Sequence, residues 1–108
     1  MKITDLIEYL LNPERLEILY QQNRLSMDSA AILIYMQETL DINSEVSLFP
    51  IETTEDDLVF NKDGIEYVQL FPVDYAIELI ETDLDLKDKN YSNFEIAEKL
   101  LDYRIKDA

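Results

Sequence analysis

The chain has 108 residues, 47% of them hydrophobic, and carries 24 acidic against 9 basic residues for a net charge of −15. That length suits one domain with a single sizeable core, and the hydrophobic share is too high for a disordered chain. Neither His nor Cys occurs, which excludes Ser-His-Asp triads, thiol nucleophiles, disulfides and ordinary zinc sites.

The opening stretch MKITDLIEYLL predicts a short helix capped by Thr4, with Asp5 well placed in the first turn. Asp5 and Glu8 break its apolar run, unlike an export signal, and no apolar stretch approaches the ~18–20 residues of a membrane helix. A cytosolic location is therefore expected. Asn12-Pro13 interrupts the first helix and starts a second, over 13–24, with Leu16, Leu19 and Tyr20 on one face. Ser26 or Asp28 then caps a predicted third helix, SAAILIYMQETL. Its unbroken apolar run from Ala30 to Met36 marks it as the central core helix.

From Ile42 the pattern changes. SEVSLFPI alternates at Val46 and Leu48 and reads as an edge strand ended by Pro50. Two runs of β-forming residues, DDLVF and IEYVQLF, flank Asn61-Lys62-Asp63-Gly64, a hairpin turn in which Gly64 supplies positive φ. In the second run Ile65, Tyr67, Gln69 and Phe71 are expected on one face, with Glu66, Val68 and Leu70 on the other. Pro72 ends the strand. VDYAIELIETDL follows as a helix with Val73, Ala76, Ile77, Ile80 and Leu84 inward. Ser92 and Glu95 form a capping box for a last helix, residues 93–108, with Ala97, Leu100, Leu101 and Ile105 inward. The expected class is α+β over one domain, residues 1–108: three N-terminal and two C-terminal helices around an antiparallel hairpin or three-stranded sheet.

The charge is segregated. Residues 25–86 hold 15 acids and one base, Lys62, a net −14; the segments before and after are nearly balanced. Such a chain is a poor ligand for nucleic acid or an anionic membrane, where binding relies on Lys and Arg. Three helices before a hairpin also suit a winged helix, but residues 27–41 contain no Lys or Arg and the hairpin offers only Lys62. Residues 83–95 loosely suggest a calcium loop, yet Lys87, Asp88 and Phe94 stand where an oxygen ligand, Gly and Glu are needed. A solvated loop is the expectation there.

The densest acid lies in IETTEDDLVF, where Glu52, Glu55, Asp56 and Asp57 precede a strand. The run has no Gly and no spacing that folds around an ion, so neither a metal nor a cofactor is expected. Carboxylates beside Tyr suit a partner rich in Arg and Lys, since Tyr is favoured at interface hot spots. Short, acidic and without a catalytic set, the chain is similar in kind to small bacterial immunity proteins, although it carries no family motif. The expected function is inhibition of a basic, nuclease-type toxin by binding rather than catalysis. The expected contacts are Glu52, Glu55, Asp56, Asp57, Glu66 and Tyr67, with Asp74 and Glu78 behind them. Alternatives are a structural or regulatory module and a carboxylate metalloenzyme. The module would be a homodimer joined through the 30–36 segment or a sheet edge.

Overall fold

The computed structural model describes residues 1–26 and 28–107. Its elements run α1 (Ile3–Leu11), a 3-10 turn (Pro13–Arg15) leading into α2 (Leu16–Gln22), β1 (Ile32–Gln37), β2 (Val46–Pro50), α3 (Ile51–Thr54), β3 (Val59–Lys62), β4 (Ile65–Pro72), α4 (Val73–Glu78) widening into a π turn (Leu79–Asp83), and α5 (Asn93–Asp107). The class is α+β, with five α-helices and one four-stranded antiparallel sheet, in the order β2-β1-β4-β3, among the described residues. Among the described residues no helix is long and apolar enough to cross a membrane.

The N-terminal helices follow their apolar spacing. In α1 the buried residues are Ile3, Leu6, Ile7 and Leu10, one stripe at helical period. Its start lies two residues before the predicted cap: Lys2 is the N-cap, and its backbone N–H donates to the Asp5 carboxylate at 2.9 Å. The Ser92–Glu95 capping box forms as the sequence predicts, with reciprocal bonds of 3.1 and 3.0 Å. Ile105, expected inward, is 60% exposed; its neighbours Tyr103 and Arg104 make the contacts to Phe71 and to the Gln69 carbonyl. Ala108 lies outside the described residues.

The predicted third helix is not one. Residues 32–37 form β1, a central strand, and this raises the sheet from three strands to four. Ile32 to Met36 are all buried. An unbroken apolar run is also what a strand covered on both faces looks like, and β-branched Ile32 and Ile34 with Tyr35 favour that state. The Ser26 hydroxyl accepts the Asp28 N–H at 3.1 Å and closes a turn rather than capping a helix. Ile32, Ile34 and Met36 pack under the helices, whereas Leu33 and Tyr35 face the other way.

A second departure concerns β4. Ile34 pairs with Phe71 but Tyr35 pairs with Gln69, so Leu70 has no partner on β1 and forms a bulge. Alternation breaks there. Leu70 and Phe71 both join the core under the helices, so Phe71 does not share a face with Tyr67 as expected. The hairpin turn at Asp63-Gly64 has φ of +54° and +79°, positive at both positions, which matches the twist of the two strands it joins.

The sheet face away from the helices carries its own aromatic cluster of Tyr35, Phe49, Phe60 and Tyr67. Phe49 is on one edge strand and Phe60 on the other, yet their ring centroids are 5.3 Å apart. This face is therefore concave. α3 and residues 55–58 carry the chain from β2 across to β3 at one end of it.

Candidate functional site: an acidic rim on the curled sheet

The acidic run from Glu52 to Asp57 forms this crossing. Ile51–Thr54 is a single helical turn; the Glu55 N–H closes it on the Ile51 carbonyl at 2.7 Å. Glu55 and Asp56 then both adopt left-handed backbone, φ +55° and +61°. Residues with a Cβ resist that conformation, and glycine does not.

Two buried polar side chains beneath the crossing fix it in place. The Tyr35 hydroxyl donates to the Asp57 carbonyl at 2.6 Å. The Gln69 amide donates to the Asp56 carboxylate at 3.1 Å and also lies 3.2 Å from the Tyr35 hydroxyl. Gln69 is only 6% exposed. These positioning residues were not among the expected site residues. Their signal was present: a Gln inside the apolar strand YVQLF must find partners once buried.

The expected contact residues separate into groups. Glu52, Glu55, Asp56 and Asp57 are exposed and lie together in the crossing. Glu52 also shapes the backbone beside it. Its carboxylate accepts the Ala30 N–H at 2.9 Å, and this bond holds its pKa below the usual value. Among the described residues the Glu55 and Asp57 carboxylates make no hydrogen bond. Glu66 is exposed near the hairpin turn, roughly 10 Å along β4 from Gln69, where the crossing is held. There it is joined by Asp63 and by Glu38, whose N–H donates to the Glu66 carbonyl at 2.7 Å. Glu38 was not foreseen. Asp74 and Glu78 are exposed on α4, which leaves the sheet at the same end as the crossing. Tyr67 is buried, 8% exposed, with its ring 5.1 Å from that of Phe49. Its place is in the aromatic cluster rather than on the rim.

Tyr75 is at the surface, its ring packed edge-on to Phe71 at 5.4 Å. Its hydroxyl lies 3.1 Å from that of Tyr103, and this pairing, with desolvation, pushes its pKa up to about 12. Beside it, Leu58, Phe71, Pro72 and Arg104 line a shallow apolar groove next to the crossing. Arg104 is turned inward to the Gln69 carbonyl at 3.3 Å, and the Lys62 ammonium sits 5.5 Å from the centre of the Phe49 ring. Arg104 is thus engaged internally beside the crossing, while Lys62 stays exposed at the turn end of β3. Among the described residues no three Asp or Glu converge as a metal would require.

Within the Ala30–Met36 segment, weighed as a dimer surface, Ile32 to Met36 form β1 and are buried. No family model matches the chain, nor does any curated protein or solved structure.

Proposed function

We propose that the protein is a small inhibitor that binds a basic protein partner through its acidic rim, in the manner of an immunity protein neutralising a nuclease-type toxin. The observation that carries this reading is the crossing between β2 and β3. There Glu52, Glu55, Asp56 and Asp57 are exposed on a backbone pinned from below by Tyr35 and Gln69. A rigid acidic surface loses little entropy on docking and steers a basic partner toward it. The adjoining groove, with Leu58 62% exposed and Tyr75 at the surface, adds the apolar area that an interface core needs.

The proposed contacts are Glu52, Glu55, Asp56 and Asp57, with Glu66, Asp74 and Glu78 as outlying charges and Tyr75 in place of Tyr67. The partner class is a protein with a basic groove; nucleic acid itself is a poor fit to the same surface. The test is co-expression with the product of the neighbouring upstream reading frame, followed by pull-down and growth rescue. Rescue supports the reading, and a non-toxic, non-binding neighbour counts against it.

A further inference from the structure

We infer that the outer edge of β3 is the docking point, and that the partner supplies an extended basic segment which adds there as a fifth strand. This rests on the function proposed above and specifies how the partner is held. The two edges of the sheet are not alike. On β2 the outward positions are Val46, Leu48 and Pro50. The Val46 N–H is already given to the Met1 carbonyl at 2.8 Å, and Pro50 has no N–H. That edge is blunted in the way natural sheets avoid unwanted pairing.

The β3 edge is open. Gln69 donates to the Leu58 carbonyl at 2.9 Å, so alternation along the ladder turns Leu58, Phe60 and Lys62 toward β4 and Val59 and Asn61 outward. Neither outward amide reaches another element among the described residues. No proline or bulge interrupts the strand, and its one Lys is drawn over the Phe49 ring. Val59 is 47% exposed beside this edge.

Charge decides what can occupy it. Asp56 and Asp57 stand at one end of β3 and Asp63 at the other, with Glu66 opposite Asn61 on the neighbouring strand. A second copy of the chain would bring its own excess of acid against these groups. An extended segment alternating Arg or Lys with apolar residues satisfies the open amides, covers Val59 and meets the carboxylates. Strand addition of this kind takes affinity from main-chain bonds and specificity from side chains.

The test titrates two synthetic peptides of roughly ten residues, both alternating Arg and Val, into the full chain at low salt. One is N-methylated at alternate residues and carries the same charge. The unmethylated peptide should bind about tenfold or more tightly than its methylated counterpart, because only it can complete the ladder. Its amide shifts should centre on Val59 and Asn61. Asn61→Pro, an outward position where an edge strand tolerates proline, should abolish the difference. Should that variant fail to fold, the location of the shifts in the unaltered protein decides. Equal binding by both peptides, or shifts centred elsewhere, overturns the edge and leaves the acidic surface standing. No binding by either overturns both.

Discussion

Phe49 and Phe60 lie on opposite edges of the sheet, and their rings meet edge to face at 5.3 Å. Three strand spacings in a flat sheet would separate them by about 14 Å. The contact therefore measures the curl that makes one face concave and brings the β2–β3 crossing over it. Phe49→Ala should destabilise the protein by about 3–5 kcal/mol in urea unfolding. A double-mutant cycle with Phe60→Ala should return a coupling of about 0.5–1.5 kcal/mol. Additive effects would mean that the two rings do not hold the curl together.

The crossing is pinned by Tyr35 and Gln69. Tyr35→Phe removes only the hydroxyl that donates to the Asp57 carbonyl, and should cost about 1 kcal/mol. Gln69→Leu should cost about 1–3 kcal/mol, since the Tyr35 hydroxyl and the Asp56 carboxylate lose a donor. In both variants hydrogen exchange should accelerate at residues 55–58 before it does so in β1. Uniform acceleration across the sheet would show that these bonds serve the whole core rather than the rim.

Glu55 carries left-handed backbone at the end of α3. Glu55→Gly should therefore stabilise the protein, by up to about 1 kcal/mol, with a higher Tm. The same change removes a carboxylate from the rim and should weaken partner binding. Gain of stability with loss of affinity is the expected pair; loss of stability would mean that the glutamate side chain contributes packing that outweighs the strain.

Acid should weaken the fold through three particular carboxylates. Glu45 is held down chiefly by its hydrogen bond with Lys2, Glu52 by the Ala30 N–H, and Glu95 by the Ser92 N–H. All three have folded pKa values below the ordinary 4.5. Their contribution is thus complete above that value and is lost as pH falls through the lower folded values. The triple variant Glu45→Gln, Glu52→Gln, Glu95→Gln should have a lower Tm than the parent at neutral pH, and the gap should close in acid. A gap independent of pH would assign the loss to packing instead.

The sequence disclosed the helices and hairpin whose periodicity was unmistakable: the α1 stripe, the Asp63-Gly64 turn and the Ser92 capping box. It misled at Ala30 to Met36. A run apolar at every position has no period, so a buried helix and a doubly covered strand look alike until the partner strands β2 and β4 are known. The Leu70 bulge is equally invisible, because only pairing with β1 reveals it, and it reverses the face of Phe71. At the rim, composition pointed to Glu52, Glu55, Asp56 and Asp57. The hairpin turn ending at Gly64 already sets Glu66 away from the Asp57 end, whereas the burial of Tyr67 depends on how far the sheet curls.

The most direct measurement is the affinity for the product of the neighbouring reading frame over a salt series, for the parent and for Glu55→Lys, Asp56→Lys, Asp57→Lys. Binding to a basic surface through this rim predicts that the parent's affinity falls steeply with salt, mainly through the association rate. The reversed variant should bind about a hundredfold or more weakly at low salt and lose most of that salt dependence. Unchanged affinity and unchanged salt dependence in the folded variant would contradict the acidic rim as the binding surface.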